Sequence, residues 1–244
     1  MLFRSGWDPR PDESADTALL RRSLIEALGR AGHGAVVRAA QSRFAARADK
    51  PIDPAIRPAV LNVVGRYADP LTFEALLERM RSATDMTNKW EAQSALRQVR
   101  DPKLLQRLME LMLTDELPPG DAVFNLTHIG DDSGRVGLGW RFVLAHLPAI
   151  LAKASPRGRP HVLPDAASAF TDAARADELI ALAKAHFDAP ALYQAEKTAD
   201  WIRLKAVIKT REARRAISWG RARLNSNQIG SRESFPLRTD PLPR

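Results

Sequence analysis

The five histidines are the side chains of this sequence best suited to metal chemistry, but their spacing forms no helical zinc site. They are His33, His128, His146, His161 and His186. A zinc-hydrolase helix needs the order H-E-x-x-H, with two histidines four residues apart and a glutamate directly after the first. No two of these histidines are four residues apart, and none is followed by glutamate. The sequence therefore predicts no such metal site, and only a site assembled from three distant histidines stays open.

Nucleophilic and acid–base chemistry has no recognisable residue set either. The chain contains no cysteine and no G-x-S-x-G sequence, so it lacks both a thiolate nucleophile and the serine elbow of the α/β-hydrolases. Asp131–Asp132 and Asp115–Glu116 are adjacent acids in predicted turns, where carboxylates cap helices more often than they act as an acid and a base. The sequence thus predicts no catalytic residue.

The glycine-rich run SGRVGLGWRF at 133–142 has to be compared with phosphate-binding loops. Its glycines follow the order G-x-x-G-x-G, whereas nucleotide loops need G-x-x-x-x-G-K-[ST], or G-x-G-x-x-G after a strand. The residues that follow, WRFVLAHLPAI, have the apolar spacing of a helix. We interpret the run as scaffold. Glycine inside a helix costs about 1 kcal/mol relative to alanine, so we expect Gly137 and Gly139 to admit a closely packed neighbouring helix.

The net charge of +8 is concentrated near the C-terminus. Residues 214–244 hold seven arginines and two acids, a surplus of five, which leaves +3 for the rest of the chain. A nearly balanced body without a basic face predicts no nucleic-acid partner. No run of about 18 uncharged apolar residues predicts a membrane span, and no signal peptide is recognisable. Together with the absence of cysteine, these features predict a cytoplasmic protein without a membrane partner.

Two segments begin with the same helix-start signal. ADPLTFEALLERM begins at Ala68 and RDPKLLQRLMELM begins at Arg100. In each, aspartate takes the N-cap, proline takes the first helical position, and apolar residues follow at helical spacing. The two Asp-Pro pairs are 32 residues apart, with a further helix near Asn88–Gln98 between them. A two-helix repeat of this period is typical of α-solenoids.

The predicted fold is therefore all-α: a HEAT/armadillo-like α-solenoid of antiparallel helix pairs with about 11–12 helices. No run has the period-two alternation of a strand. The later helices are predicted near 118–129, 134–153, 162–174, 175–187, 190–209 and 210–224. We predict a helical domain over 1–224 and a disordered basic tail rich in proline, serine and arginine over 225–244.

The run from Pro118 to Leu151, PPGDAVFNLTHIGDDSGRVGLGWRFVLAHLPAIL, resembles a segment of the C-terminal helical domain of gluzincin aminopeptidases. This group contains aminopeptidase N, puromycin-sensitive aminopeptidase and the endoplasmic-reticulum aminopeptidases. Glycine replaces the family's glutamine at position 120, and the helical stretches on either side are also similar, so the resemblance covers about residues 2–222. The matching positions are Pro119, Asp121, Gly134, Arg135, Trp140, Arg141 and Phe142.

The resemblance implies a domain that closes over a zinc catalytic domain and shapes the access of peptides to its chamber. The family's H-E-x-x-H and G-x-M-E-N motifs are absent from this sequence. The resemblance thus implies that zinc and catalysis belong to a partner catalytic domain, in cis in the family or in trans here. This chain would be a non-catalytic C-terminal domain or fragment of a zinc aminopeptidase, inactive alone. A stand-alone helical-repeat module that binds a protein or peptide is the alternative.

The family-signature residues Asp121, Gly134, Arg135, Trp140 and Phe142 are expected to be structural, with no catalytic or metal-binding residue among them. Trp140 is expected in the core, since a tryptophan on an apolar helix face packs there. Arg135 is a candidate contact to a peptide carboxylate in the chamber, because arginine binds carboxylates through two hydrogen bonds. A surface salt bridge or a contact at a helix start is the alternative for Arg135.

Overall fold

A computed structural model describes residues 6–9 and 13–230, without the side chains of 130–133, 190–191, 214 and 216–230. The described residues contain twelve α-helices and no strand, so the all-α prediction is confirmed. The helices, numbered in chain order, are α1 Ala15–Arg30, α2 Gly34–Ala45, α3 Arg57–Arg66, α4 Pro70–Ser82, α5 Met86–Arg97, α6 Pro102–Leu113, α7 Pro119–Ser133, α8 Val136–Ala145, α9 Leu147–Lys153, α10 Val162–Ala167, α11 Ala173–His186 and α12 Ala189–Gly230.

Both predicted Asp-Pro helix starts are present. The Asp69 carboxylate accepts a hydrogen bond from the Thr72 backbone N–H at 2.7 Å, at the start of α4. The Asp101 carboxylate accepts from the backbone N–H groups of Lys103 and Leu104 at 2.8 and 3.0 Å, at the start of α6. These bonds satisfy N–H groups that have no partner inside the helix. The repeated signal therefore marks two equivalent helix starts.

Alternate helices pack on one another along the first part of the chain. Helix α1 packs on α3, α3 on α5, and α5 on α7. The even-numbered helices α2, α4 and α6 pack mainly on the members of this odd-helix row, in contacts of α2 with α3, α4 with α5, and α6 with α7. The apolar faces of both sets of helices meet in one core. The likeness of this arrangement to HEAT or armadillo repeats stays a prediction.

Two buried glycines allow the odd-helix row to pack closely. A Cβ atom added at Gly65 of α3 would lie 1.9 Å from the backbone carbonyl oxygen of Ala95 in α5. A Cβ atom added at Gly29 of α1 would lie 2.2 Å from Cγ2 of Val63 in α3. Neither position leaves room for a side chain, so glycine determines both helix–helix distances. The Tyr67 hydroxyl donates to the Gly29 carbonyl at 2.9 Å, which adds a polar link to the same joint.

Four helix predictions in the second half of the chain are wrong in their bounds. The predicted helix 134–153 is broken at His146, because Pro148 near the start of α9 lacks an N–H and cannot continue α8. The predicted helix 162–174 ends at Ala167, and Asp172 caps a new helix by accepting from the Ala174 N–H at 3.1 Å.

The predicted helices 190–209 and 210–224 form the single helix α12, because no glycine or proline lies between Ala191 and Trp219. The domain limits of 1–224 and 225–244 stay a prediction. Helix α12 continues to Gly230, and the tail residues 231–244 lie outside the described residues.

Candidate functional surfaces

The glycine-rich run forms the turn between α7 and α8. Gly134 ends α7 in the left-handed conformation, with φ 70° and ψ 20°, which glycine adopts without strain. Arg135 follows, and its carbonyl accepts the backbone N–H groups of Leu138 and Gly139 at 2.8 and 3.2 Å. The run is thus the turn that connects two helices. The N–H groups of Leu138 and Gly139 are already hydrogen-bonded within the first turn of α8.

The prediction that Gly137 admits a neighbouring helix is wrong. A Cβ atom added there would meet only the Arg141 guanidinium of the same helix, at 3.8 Å. Gly139 is buried. The close approaches lie instead at Gly29 and Gly65, which the sequence did not single out as packing positions.

Trp140 lies in the core and joins α8 to α11. Its side chain is 2% exposed, and its Nε1–H donates to Oε1 of Glu178 at 3.2 Å. Its ring meets the edge of Phe170 at an angle of 88°, with ring centroids 5.9 Å apart. Arg175 forms an ion pair with the same Glu178. Trp140 therefore buries an apolar ring while its one polar group is satisfied.

The other signature residues do not converge on one site. Asp121 lies in the first turn of α7, with its carboxylate 3.8 Å from the Lys89 ammonium. Phe142 is half-buried and stacks on His146 with ring centroids 4.2 Å apart. Arg135 is exposed at the start of α8. The role of Arg135 as a contact to peptide stays a prediction.

The adjacent acids expected as helix caps have other positions. Asp115 and Glu116 lie between α6 and α7 and form ion pairs with Lys153 and Arg81. The Lys153 ammonium is 2.9 Å from the Asp115 carboxylate and holds the pKa of that group below its usual range. The residues 131 and 132 lie inside α7.

Polar side chains link successive helices of the odd-helix row. Asn62 of α3 donates to the Glu26 carboxylate of α1 at 3.5 Å, and the Ser94 hydroxyl of α5 donates to Asn62 at 3.0 Å. Asn125 of α7 is fully buried, and its amide donates to Gln93 of α5 at 3.2 Å. These positions were not predicted, because isolated Asn, Ser and Gln residues in a helix look like ordinary surface residues.

An aromatic cluster lies where α5 meets α7. Trp90 and Phe124 have ring centroids 5.6 Å apart, and Phe124 stacks on His128 at 4.3 Å. The Arg97 guanidinium lies 5.3 Å from the centre of the Phe124 ring and donates to Asn125 at 2.7 Å. Trp90 is 45% exposed and Phe124 37% exposed. The cluster offers stacking surface to a ligand outside the chain.

A pocket of about 350 Å³ adjoins this cluster, and Phe124 lines it. The pocket contains Asp165 of α10, whose carboxyl group makes no hydrogen bond or ion pair among the described residues. Burial raises the pKa of Asp165, and the nearby His128 and His161 offset this only in part. Because a half-buried carboxylate without a partner is costly, this group favours either a proton or a ligand that donates hydrogen bonds.

Helix α12 exposes an apolar face to solvent. Three of its residues, Ala195, Ala199 and Ile202, are buried against the rest of the domain. A second set of apolar residues on the same helix is between 46% and 64% exposed: Tyr193, Trp201, Leu204, Val207 and Ile208. We call this set the α12 apolar face. Exposed apolar groups of this size on one helix are typical of a protein–protein contact.

The described part of the chain contains neither a metal-binding group of side chains nor a helix that could span a membrane. No group of three His, Cys, Asp or Glu side chains there is arranged to hold a metal ion. His128 and His146 each place Nδ1 near the carbonyl oxygen four residues earlier, at 2.9 and 3.0 Å. None of the described helices is both long and apolar enough to cross a membrane.

Comparisons with known proteins identify the class. Residues 1–200 match the model of the ERAP1-like C-terminal domain. That match covers most of the chain, so the chain belongs to this family.

Plant aminopeptidases are similar over a shorter stretch. Aminopeptidase M1 of Arabidopsis thaliana is 30% identical over 142 residues, which is 55% of this chain and 16% of the relative. Aminopeptidase M1-A of Oryza sativa subsp. japonica is 26% identical over 145 residues, 56% of this chain and 16% of the relative. Aminopeptidase M1-B of the same plant is 28% identical over 142 residues, again 16% of its length. The chain thus matches about one sixth of each relative.

Proposed function

We propose that this chain acts as a non-catalytic C-terminal domain of a zinc aminopeptidase, closing the chamber in which a catalytic domain cleaves N-terminal residues from peptides. The observation that carries the proposal is the match of residues 1–200 to the ERAP1-like C-terminal domain in a sequence without H-E-x-x-H. The relatives that share this segment are named aminopeptidases and are about six times longer than the matched segment. Zinc and the catalytic residues would then come from the partner.

The odd-helix row is our candidate for the wall of the chamber. Its members pack on one another, whereas the even-numbered helices pack mainly on the row, and this closer spacing favours curvature towards the row. The row carries hydrogen-bonding side chains and the aromatic cluster of Trp90, Phe124 and His128. Peptide backbones need hydrogen-bond partners and peptide side chains need stacking surface, so this composition suits a surface that peptides contact.

The α12 apolar face is our candidate for the contact with the catalytic domain. In an isolated chain this face exposes apolar area to water, with Trp201 56% and Leu204 46% exposed, and that exposure costs free energy. Covering it with an apolar partner surface removes that cost. Arg203, Arg211 and Arg215 line a pocket on the same helix. Because Arg203 pairs with Asp177 and Asp200 and Arg215 pairs with Glu212, the proposed contact rests on apolar area.

The test is to co-express the chain with each H-E-x-x-H chain encoded beside it. Size-exclusion chromatography measures complex formation, and hydrolysis of aminoacyl-nitroanilides measures the peptidase rate. We expect a complex that changes the rate, and no turnover by the purified chain alone. The proposal fails if none of the H-E-x-x-H chains forms a complex with this chain and if this chain leaves all their peptidase rates unchanged.

Matched variants locate the contact. We expect Leu204→Ser to weaken the complex, because it removes an apolar side chain from the α12 apolar face. Leu71→Ser is the control, since Leu71 is 82% exposed on α4, away from that face. Equal weakening by both variants would show that the contact lies elsewhere.

A stand-alone peptide- or protein-binding module is the second candidate. The exposed aromatic cluster on α5 and α7 favours it, because such a cluster binds ligands without any catalytic partner. The genomic neighbourhood separates the two candidates. An adjacent reading frame with H-E-x-x-H supports the aminopeptidase domain, and its absence favours the independent module.

A further inference from the structure

A cationic pocket lies between the turn after α2 and helices α3 to α5. Its volume is about 520 Å³, within the range of small-ligand sites. Three arginines from three different segments line it: Arg47 from the turn at 46–48, Arg57 from the start of α3, and Arg79 from α4. Ile52 and Leu61 add buried apolar walls. Cationic and apolar groups thus face the same space.

The arginines carry more positive charge than the neighbouring acids neutralise. Glu91 accepts hydrogen bonds from Nε and Nη2 of Arg57 at 2.6 and 3.1 Å, and it lies 3.7 Å from Arg79. Arg47 forms no ion pair among the described residues and instead donates to the Phe44 carbonyl at 2.6 Å. One buried carboxylate therefore pairs with two of the three guanidinium groups, and Arg47 has no carboxylate partner among the described residues. The oxygens of Glu91 are directed to Arg57 and Arg79.

Asp85 is a further carboxylate close enough to act on this group, but it is exposed. It caps α5 by accepting from the Asn88 backbone N–H at 2.9 Å. Burial, followed by the charges of Arg57 and Arg47, lowers the pKa of Arg79, while Glu91 and Asp85 raise it by less. The two acids therefore do not fully offset the repulsion that Arg57 and Arg47 exert on Arg79.

Arg79 also has an unused donor at this point. Its Nη2 donates to Asn88 Oδ1 at 2.7 Å, but its Nε is buried and has no hydrogen-bond partner among the described residues. A buried N–H without an acceptor is costly, but this Nε has almost no accessible surface, so the case for a ligand rests on the charge and the volume of the pocket. Charge and volume agree on the same class of ligand.

We propose that this pocket binds a small oxyanion, a carboxylate or phosphate group, through Arg47, Arg57 and Arg79. Guanidinium groups bind both oxyanions through paired charge-assisted hydrogen bonds. The apolar walls at Ile52 and Leu61 would accommodate a short carbon chain attached to that group. The proposal is independent of the proposed aminopeptidase role, since it rests on this pocket alone.

The experiment measures binding of inorganic phosphate and of succinate to the full chain by isothermal titration calorimetry. We expect saturable binding of at least one of them, and the one that binds identifies the oxyanion class. Arg47→Gln should weaken binding about tenfold, because it removes one charge-assisted contact. Arg79→Gln should weaken it at least as much. Circular dichroism checks that each variant folds.

Arg81→Gln is the matched control, since it makes the same change on the same helix and Arg81 pairs with Glu116 outside the pocket. Binding to this variant should equal that of the unmodified chain. If Arg79→Gln does not fold, Arg47→Gln still decides, because the hydrogen bond and the ring contact that Arg47 makes among the described residues are both with Phe44, three residues earlier. The proposal is overturned if neither anion binds at millimolar concentration, or if Arg81→Gln weakens binding as much as Arg47→Gln.

Discussion

Helices α1 to α7 and helix α12 differ in where polar side chains are buried and in how exposed apolar side chains are grouped. In the first region, charged and amide side chains are buried between helices; Glu91 is 8% exposed and Asn125 fully buried. In the second region, large exposed apolar side chains share one face of a single helix, whereas those of the first region are spread over α1, α4, α5 and α7. The described buried polar side chains all lie between Arg21 and Thr127.

The difference shows which joints are complete within this chain. Between α1 and α7, glycines fix the helix spacing, and buried polar groups such as Glu91 and Asn125 find partners within the chain, so these joints are made by the chain's own residues. The buried Nε of Arg79 is an exception, since it has no partner among the described residues. The α12 apolar face has no such completion among the described residues, which is why we assign it to a partner. Four predictions test or sharpen this comparison.

The largest expected effect is at a glycine joint. Gly65→Ala would place a Cβ atom 1.9 Å from the Ala95 carbonyl oxygen, which forces α3 and α5 apart. We expect a loss of about 3 kcal/mol or more in the free energy of unfolding, measured in urea. Gly137→Ala is the control, since only the Arg141 guanidinium lies nearby, and it should gain up to about 1 kcal/mol. Equal stability of the two variants would contradict the close-packed joint.

The second prediction concerns the buried ion pair in the same region. Glu91→Gln leaves Arg57 and Arg79 without their buried carboxylate. Breaking a fully buried pair costs about 3–5 kcal/mol. Because the side chains of Arg57 and Arg79 remain about a quarter exposed to solvent, we expect a smaller loss of about 2 kcal/mol in the free energy of unfolding. Glu74→Gln, in a half-exposed pair with Arg107, should change stability by less than about 0.5 kcal/mol. The same urea titration measures both, and a reversed order would refute the contrast.

The third prediction is a pH dependence at Asp165. Burial raises its pKa, so the folded state keeps a proton that the unfolded chain has already lost. The contribution of Asp165 to stability therefore falls as pH rises through the ordinary aspartate pKa to the raised value. Asp165→Asn removes this loss, so its advantage over the unmodified chain should be absent in acid, grow as the pH rises, and become constant once the pH exceeds the raised pKa. Unfolding free energies measured across this range test the prediction.

Asp69 supplies a control of opposite sign. The Thr72 N–H bond lowers the pKa of its carboxyl group. The stabilisation is therefore present above the ordinary aspartate pKa and is lost as pH falls through the lowered value. Asp69→Ala should cost about 1 kcal/mol at neutral pH and less in acid. If the stability changes caused by Asp165→Asn and Asp69→Ala varied with pH in the same direction, the opposite pKa shifts of the two carboxyl groups would be contradicted.

The smallest expected effect is at the α12 apolar face. Leu204→Ser should change the free energy of unfolding by less than about 0.5 kcal/mol, because Leu204 is 46% exposed. It should also reduce the binding of a hydrophobic dye to the folded chain. A loss above about 2 kcal/mol would show that Leu204 packs within this chain, and the comparison between the two regions would then fail.

The sequence predicted the parts of the fold that depend on local signals. Asp69 and Asp101 with their following prolines marked helix starts, and the signature around Trp140 indicated the family. The break at His146 was missed because apolar periodicity continues through Pro148. The continuity of α12 was missed although no glycine or proline lies between residues 191 and 219 to end a helix there.

The candidate sites depended on contacts between distant residues, and single-sequence patterns do not encode these. Gly65 and Ala95 are 30 residues apart, and nothing local distinguishes Gly65 from the more conspicuous Gly137. Arg47, Arg57 and Arg79 read as scattered surface charges until the fold places them around one pocket. Helical periodicity predicts which face of a helix is buried but not which residue of another helix it meets.

The length of α12 has a consequence for local opening. Its 42 residues span about 63 Å along the helix axis. Ile202 is the last buried side chain described on it; of the residues at 203–213 and 215, none is buried. Without tertiary packing, a helix segment is held only by its own marginal helix–coil equilibrium. Amide hydrogen exchange should therefore be slow up to about Ile202 and become progressively faster beyond it, and a bound partner would reveal itself by slowing that exchange.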